Sequence, residues 1–233
     1  MTQRVYVPLT PAERAAERVE LLAGLQALAV IASEHQLDQL QELLDRTEEA
    51  NAQFNLTAIR HRPDMLVKHV LDSLSLLPFL RGPRVADIGT GAGFPGLPLA
   101  ILRPDLEFLL VESVGKKARH VAAIAHAMGL ENARVENARA EQLRRPGTFA
   151  GGFGTVTARA LSNLGDFVKH SGHLVAEGGW LLAMKGRVPE EELKACRRGV
   201  RDVAGDTWRV VEVVPLTVPG LYDERHLVEL CRE

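Results

Sequence analysis

A glycine-rich turn between a predicted strand and a predicted helix is the part of this sequence best suited to bind a ligand. It reads Asp87-Ile88-Gly89-Thr90-Gly91-Ala92-Gly93-Phe94-Pro95-Gly96 and follows the apolar run that begins at Arg84. Glycines tolerate positive φ and let a ligand approach bare backbone, and the start of the following helix presents unpaired N–H groups. Asp87, at the strand end, suits a cationic ligand better than a pyrophosphate. The segment therefore predicts a ligand site at this turn.

A second acid, Glu112, ends the next apolar run at a distance typical of a ribose-binding carboxylate. The spacing Gly91-x-Gly93-x-x-Gly96 also satisfies the dinucleotide fingerprint, which makes a nicotinamide site the competing interpretation. Against it, the strand runs into Gly89 rather than Gly91, and Pro95 crowds the start of the helix. The position of the strand end and Pro95 therefore argue against a dinucleotide at this turn.

Basic side chains follow most of the predicted strands, at the edge where open α/β sheets bind ligands. Arg159 and Lys185 lie in otherwise apolar strands, so we favour a function for both. Lys116 and Lys117 begin a helix, where cations oppose the helix dipole, although a solvated helix start would explain them equally well. The group predicts a phosphate-binding face on a chain of net charge −2. Its members are Lys116, Lys117, Arg119, Arg139, Arg159, Lys185 and Arg187; we assign Arg144 and Arg145 to loop surface.

The composition is that of an ordinary globular protein, with 46% hydrophobic and 25% charged residues among 233. Two cysteines, Cys196 and Cys231, cannot form a disulfide framework or a Cys-rich metal site, and the histidines show no metal-ligand spacing. No run approaches the roughly 18 apolar residues of a membrane span, and the first ten residues do not resemble a signal peptide. We expect a cytoplasmic protein, a monomer, with no metal and no membrane partner.

The apolar pattern changes near residue 80, which divides the chain into an N-terminal helical segment, 1–80, and an α/β domain, 81–233. The first part carries three helices, which start after Thr10, after Ser33 and at Pro63. The second alternates short apolar runs with helices at Leu97–Leu102, Gly115–Met128, Leu164–Ala176 and Pro189–Val203. Seven strands are expected: Arg84–Ile88, Glu107–Glu112, Ala133–Glu136, Thr155–Thr157, Trp180–Met184, Trp208–Leu216 and Arg225–Cys231. The last two are joined by too few residues for a parallel crossover, so they should pair antiparallel.

The pattern Asp87-x-Gly89-x-Gly91-x-Gly93, followed by Glu112 at the next strand end, resembles the class I S-adenosylmethionine-dependent methyltransferases. The resemblance implies a Rossmann-like α/β fold with a mostly parallel seven-stranded sheet and an antiparallel last strand. It also implies that the glycine turn passes under the methionine part of the cofactor. Glu112 would accept hydrogen bonds from both ribose hydroxyls, which its charge strengthens.

Three segments narrow the resemblance to the bacterial small-subunit ribosomal RNA methyltransferase G family, also called the glucose-inhibited division protein B family. The run from Gly89 to Ala100 is similar to its signature G-T-G-x-G-x-P-G-x-P-L. Asn55-Leu56-Thr57 and Lys68-His69-x-Leu71-Asp72-Ser73 resemble its N-terminal segment, and Lys185-Gly186 and Glu224-Arg225-His226-Leu227-Val228 its last strands. The likeness covers about residue 50 to the C-terminus. Ala92 and Phe94 stand where relatives often carry Pro and Leu.

This resemblance implies methyl transfer from S-adenosylmethionine to N7 of a guanine in 16S ribosomal RNA, presented as RNA or as the small ribosomal subunit. Ala140 and Glu141 would flank the adenine, and Arg159 would line the meeting point of cofactor and target. The implied cofactor-binding residues are Asp87, Gly89, Gly91, Gly93, Phe94, Glu112, Ala140, Glu141 and Arg159. The implied RNA-binding residues are Asn55, Lys116, Lys117, Arg139, Arg159 and Lys185.

The end of the fourth predicted strand fits N7 chemistry. It reads Thr157-Ala158-Arg159-Ala160, without the Asn/Asp-Pro-Pro-aromatic loop of amino-methylating enzymes or the Pro-Cys nucleophile of pyrimidine C5 enzymes. Guanine N7 has a lone pair and no proton to remove, so the reaction needs in-line positioning and no general base. Arg159 and Lys185 are therefore predicted to orient the substrate.

Three other interpretations stay open on the sequence alone: methylation of a small molecule or another RNA atom, a nicotinamide-dependent oxidoreductase, and a non-catalytic RNA-binding protein. The roles of three residues are also open. His69 and Asp72, one helical turn apart, could hydrogen-bond to each other and brace their helix against the α/β domain. Asn55 could contact RNA or cap the segment in which it lies.

Overall fold

A computed structural model of the chain describes residues 6–143, 151–159 and 163–233. Within these ranges an eight-stranded sheet forms the centre of the molecule, in the order β3-β2-β1-β4-β5-β8-β7-β6. Strands β1 to β5 pair in parallel, and β8 lies antiparallel between β5 and β7. The strands are β1 Arg84–Ile88, β2 Glu107–Val111, β3 Ala133–Glu136, β4 Phe153–Arg159, β5 Val175–Lys185, β6 Val200–Arg201, β7 Thr207–Pro215 and β8 His226–Arg232.

The expected α/β fold, with its mostly parallel sheet and antiparallel last strand, is confirmed. Among the described residues the sheet has one strand more than the seven expected, because the two-residue β6 pairs with the start of β7 at the sheet edge. Gly199 adopts φ +92° and ends the preceding helix earlier than Val203, which leaves β6 outside it. The expected helix Leu164–Ala176 also ends early, because Val175 pairs with Phe153 and begins β5.

The first two helices begin where the sequence supplies caps. Thr10 with Glu13, and Ser33 with Gln36, form reciprocal capping boxes at the first two. The third predicted helix is interrupted by a π-helical turn, Leu66–Leu71, a wide turn that is frequent at functional sites. The helices are α1 Pro11–Ala27, α2 Glu34–Phe54, α3 Arg62–Met65, α4 Asp72–Leu74, α5 Gly96–Leu102, α6 Gly115–Ala127, α7 Leu164–Ser171 and α8 Glu190–Arg197.

The N-terminal helices share a hydrophobic core with one face of the sheet. Leu21, Leu40 and Leu74 are buried in the same cluster as Leu97 and Leu110. Polar contacts add to this packing, since Gln36 Nε2 on α2 donates to the Ile101 carbonyl on α5 at 2.9 Å. Residues of the 1–80 segment thereby reach the carboxyl ends of the strands. None of the described helices has the length and apolar character needed to cross a membrane.

Candidate active site

The carboxyl ends of β1, β4 and β5 border a cavity of about 550 Å³, which we call the main cavity. One wall comes from the glycine turn after β1, another from Arg159 and Lys185 at the ends of β4 and β5. The segment before residue 80 closes the remaining side. The side chains that carry charge or hydrogen-bonding groups there are Thr57, Lys68, His69, Asp72, Thr90, Arg159, Lys185 and Arg225.

A second cavity of about 330 Å³, the side cavity, lies on the other side of Gly89, which lines both. Ile88, Val111 and Ala138 supply apolar surface, and Ala140 and Glu141 border it on a 3₁₀ turn. The two cavities adjoin at this backbone-only residue. The apolar surface of the side cavity suits a planar ring, and the cations of the main cavity suit an anionic substrate.

The glycine turn faces open space at two positions and packed protein at a third. Gly89 and Gly91 have φ of +71° and +63°; a Cβ on Gly89 would meet no atom within 4 Å, and a Cβ on Gly91 only the Gly89 carbonyl oxygen at 3.9 Å. A Cβ on Gly93 would instead lie 2.4 Å from the Leu97 side chain. Gly89 and Gly91 thus leave room for a ligand against bare backbone, whereas Gly93 is required by helix packing.

Asp87 lies beneath the turn and lines neither cavity. It is 1% exposed, and its Oδ2 accepts a hydrogen bond from the Gly96 N–H at 2.8 Å, at the start of α5. Burial raises the pKa of Asp87 to about 6, against the lowering effects of the Thr90 hydroxyl, the Gly96 amide and the Arg159 charge. The structure therefore shows Asp87 supporting the turn and the helix start.

Glu112 follows β2 and holds the turn from the opposite side. Its Oε2 accepts from the Gly91 N–H at 3.0 Å, and its Oε1 accepts from the Val114 N–H at 2.8 Å. The side chain is buried and does not itself line either cavity. A carboxylate offers about four acceptor positions, so Glu112 retains one on each oxygen beyond these two bonds.

Three groups of the N-terminal segment hold Arg159 in the main cavity. Its Nη1 donates to the Lys68 carbonyl at 2.8 Å and to Asp72 Oδ2 at 3.1 Å, and its Nη2 donates to His69 Nδ1 at 3.1 Å. Asp72 Oδ1 accepts from Arg225 Nε at 3.1 Å. Two arginines thus share one carboxylate. The expectation that His69 and Asp72 bond to each other is corrected here, since each bonds to Arg159 instead.

His69 is a neutral acceptor in this network. Arginine can only donate, so His69 Nδ1 accepts from Arg159, and Nε2 carries the proton and donates to Thr57 Oγ1 at 3.0 Å. Burial, followed by the Arg159 charge, lowers the pKa of His69 to about 3. Its ring is parallel to that of Phe94 within 10°, with centroids 4.4 Å apart, and the Arg159 guanidinium lies 5.8 Å from the Phe94 centroid.

Comparison with known proteins places these features in a family. Residues 36–227 match the family described as rRNA small subunit methyltransferase G. The chain belongs to this family. It is 48% identical over 178 residues to the ribosomal RNA small subunit methyltransferase G of Stenotrophomonas maltophilia, covering 76% of this chain and 78% of the relative. The protein of the same name from Nitrosospira multiformis is 41% identical over 220 residues, covering 91% and 96%.

Solved structures support the fold. TrmN from Thermus thermophilus is similar with a TM-score of 0.52 at 21% identity, covering 70% of this chain and 48% of that one. Phosphoethanolamine N-methyltransferase 1 of Haemonchus contortus, solved with phosphoethanolamine and S-adenosylhomocysteine, has a TM-score of 0.54 at 14% identity, covering 87% and 50%. Membership of the methyltransferase G family makes this chain an enzyme, which sets aside both the oxidoreductase and the non-catalytic alternatives.

Lys185 is the other predicted cation that reaches the main cavity of this methyltransferase G family member. Its Nζ lies 2.9 Å from Glu192 Oε2 on α8. Glu192 also accepts from the Leu164 N–H at 2.6 Å, so it fixes the start of α7 as well. Within the described part of the chain no group of three or more His, Cys, Asp or Glu side chains could hold a metal ion.

The remaining predicted RNA-binding residues lie outside the main cavity. Lys116 and Lys117 begin α6 and line neither cavity, and Arg139 borders the side cavity. Asn55 is exposed at the end of α2 with φ +51°, and its Oδ1 accepts from Arg60 at 2.9 Å. Ala160, Arg144 and Arg145 lie outside the described residues.

Sequence reasoning missed four polar residues of the main cavity: Thr57, Lys68, Thr90 and Arg225. All four belong to the segments that carry the family resemblance, and that was the available signal. Arg225 sits just before β8, whose antiparallel course returns the chain beside Lys185. Lys68 contributes its backbone carbonyl to Arg159, a contact that no side-chain pattern reveals.

Proposed function

We propose that this chain methylates N7 of a guanine in 16S ribosomal RNA, as a cytoplasmic monomer acting on RNA or on the small ribosomal subunit. Membership of the rRNA small subunit methyltransferase G family supports a small-subunit rRNA substrate. S-adenosylmethionine supplies the electrophilic methyl group. The observation that carries the proposal is the junction of the side cavity with the cation-lined main cavity at Gly89.

The residues along this junction suit the cofactor. The open faces of Gly89 and Gly91 provide space for its methionine part, which a Cβ at either position would reduce. Glu112 retains two acceptor positions for the ribose hydroxyls. Ala140 and Glu141 border the side cavity, where the adenine would lie. Phe94 and Arg159 would face the cofactor from the main cavity, while Asp87 and Gly93 support the turn from below.

The main cavity suits an anionic substrate. Arg159, Lys185, Lys68 and Arg225 border it, and Asp72 is the carboxylate among its lining residues. Methylation places a positive charge on the guanine, so a cation against N7 would oppose the reaction. Arg159 and Lys185 would therefore bind phosphates or the O6 acceptor. Lys116, Lys117, Arg139 and Asn55 would extend phosphate binding beyond the cavity.

Among the described residues that line the main cavity, no side chain is placed to abstract a proton at neutral pH. Both nitrogens of His69 are hydrogen-bonded, and its pKa near 3 leaves it neutral. Both oxygens of Asp72 are held by arginines. This agrees with N7 chemistry, which requires in-line approach of a lone pair and no deprotonation. A reaction at an exocyclic amine would have to release a proton.

The direct test is methyl transfer in vitro to small subunits and to naked 16S RNA, followed by mass spectrometry of the nucleosides. We expect 7-methylguanosine from at least one substrate, and the same nucleoside to be absent from RNA of a strain that lacks this protein. Two results would contradict the proposal. One is formation of a different methylated nucleoside in vitro. The other is persistence, in the RNA of the deletion strain, of 7-methylguanosine at the position that the enzyme methylates in vitro.

The absence of a general base has its own signature. The single-turnover rate should not titrate with a side-chain pKa between about pH 6 and 9. Lys185→Gln should lower methyl transfer more than cofactor affinity, whereas Arg159→Lys should affect both, because Arg159 faces both ligands. A rate that falls tenfold per pH unit below a pKa near 7 would show that a base is required.

A further inference from the structure

Arg159 presents two hydrogen-bonding edges, and protein atoms occupy one of them. Nη1 donates to the Lys68 carbonyl and to Asp72, and one Nη2 proton goes to His69. All three partners come from five consecutive residues, 68–72, which span the end of the π-helical turn and the start of α4. The outer edge of the guanidinium is thus held by the N-terminal segment rather than by the sheet that carries Arg159.

The other edge consists of Nε–H and the second Nη2–H. Neither has a partner among the residues that the structure describes, and Arg159 lines the main cavity. Two parallel N–H groups of this kind bind two acceptor atoms at once, as in arginine pairs with carboxylate or phosphate. The direction of this edge depends on how firmly the first edge is held.

The charge at position 69 matters as much as the hydrogen bond. Arg159 and Arg225 share Asp72, so the three groups together carry an excess of one positive charge. A carboxylate at position 69 would also accept from Arg159, but it would cancel that excess, which attracts an anionic RNA. A neutral imidazole accepts the bond and leaves the charge in place.

We propose that His69 is a positioning residue for the methyl-transfer site: its Nδ1 fixes the occupied edge of Arg159, so that the other edge is turned toward the phosphate or O6 acceptors of the substrate. The Thr57 hydroxyl fixes the tautomer by accepting from Nε2–H, and the Phe94 ring fixes the imidazole plane by stacking. The inference rests on the proposed function of Arg159 and extends the site to the N-terminal segment.

Two substitutions separate the hydrogen bond from the stacking. Asn at position 69 places its Oδ1 where Nδ1 was and keeps the acceptor for Arg159, but it loses the ring. Phe keeps a ring to stack on Phe94 and loses the acceptor. We expect His69→Phe to lower the single-turnover methylation rate by at least about tenfold, the loss of one charge-assisted hydrogen bond, with a lower melting temperature because Arg159 and Thr57 each lose a buried partner. His69→Asn should stay within about threefold of the parent rate despite a lower melting temperature.

The reverse order would overturn the proposal. If His69→Phe is as active as the parent and His69→Asn is impaired in proportion to its lost stability, His69 acts through packing alone. Imidazole ¹⁵N spectra of the parent provide the second readout. We expect the Nε2–H tautomer with no titration between about pH 5 and 8. Titration near the ordinary histidine pKa would show that Nδ1 is not held by Arg159, and would equally overturn it.

The charge argument has a separate readout. His69→Asp should raise the KM for RNA and reduce the dependence of binding on salt, whereas His69→Asn should leave both near the parent values. Equal KM and salt dependence in the two variants would refute it. If the parent methylates an atom other than N7, the proposed function fails, but the His69 variants are then compared on that product. The positioning proposal is then decided by the order of the variants on that product and by the imidazole spectra.

Discussion

The proposed contact of Glu112 with the cofactor ribose can be tested separately from the role of Glu112 in holding the glycine turn. Its two oxygens each accept one backbone N–H, from Gly91 and Val114, and each retains one acceptor position. Two positions match the two ribose hydroxyls. Removing the 2′-hydroxyl from the cofactor should therefore eliminate one hydrogen bond to a charged group, about 1.5–3 kcal/mol, or roughly 10- to 150-fold in Kd.

The assay is calorimetric titration of the parent enzyme with S-adenosylmethionine and with its 2′-deoxy analogue. In Glu112→Gln the side-chain amide must face one of the two backbone N–H groups, so the turn loosens and affinity for both ligands falls. Its preference for the ribose form should also shrink to within about threefold. Glu141→Gln is the matched control, because Glu141 borders the side cavity on its own 3₁₀ turn and should leave the preference unchanged.

Two results would refute this reasoning. Equal affinity of the parent for the two ligands would mean that Glu112 does not bind the ribose 2′-hydroxyl. A Glu112→Gln variant with weaker binding but undiminished preference would mean that the carboxylate acts only through the backbone of the turn. The second result would leave the glycine turn as the cofactor site and assign Glu112 to its support.

Three further predictions concern the turn and the basic surface. Gly91→Val should abolish cofactor binding in a folded protein, because its side chain would enter the open space that the cofactor needs. Gly93→Ala should mainly lower the melting temperature. If Gly91→Val lowered only the melting temperature and Gly93→Ala abolished binding, the cofactor would not lie against Gly91. The folded-state pKa of Asp87 is raised to about 6, so the parent protein loses stability as the pH rises from about 4 to 6. Asp87→Asn does not titrate, so its unfolding free energy should gain about 3 kcal/mol relative to the parent between pH 4 and 7. A difference between the two proteins that does not change with pH in denaturant melts would contradict this. Lys116→Gln with Lys117→Gln should weaken RNA binding and lower the salt slope by about 0.7 per lost phosphate contact, and an unchanged slope in filter binding would exclude them from the interface.

The sequence was sufficient where local rules decide the structure. The helices predicted after Thr10 and Ser33 begin there, and the glycine turn follows a strand and precedes α5. The prediction was less complete where distant residues meet. Asp87 was expected to face a cationic ligand, but α5 covers the strand end, and the buried carboxylate accepts from the helix instead. Periodicity does not indicate which buried acid finds a backbone donor.

The hydrogen bonds of Arg159 in the main cavity show the same limit of prediction from sequence, here between residues far apart in the chain. His69 and Asp72 have the spacing of side chains that could meet on a helix, and this suggested a mutual hydrogen bond. Arg159, which lies 90 and 87 residues away in sequence, takes both of them as partners. Arg159 donates to both residues, and Thr57 takes the remaining N–H of the neutral imidazole, so His69 has no donor left for Asp72. Only the packing of the N-terminal helices on the sheet brings the three together.

This packing bears on the division of the chain at residue 80. The hydrophobic pattern changes there, yet Thr57, His69 and Asp72 border the main cavity together with Arg159. Without the first segment, Arg159 would lose the Lys68 carbonyl, the imidazole and the carboxylate that hold it. The α/β domain alone would retain the glycine turn and Glu112 but not the fixed guanidinium. The proposed cofactor half of the site thus lies in one segment, whereas the proposed substrate half requires both.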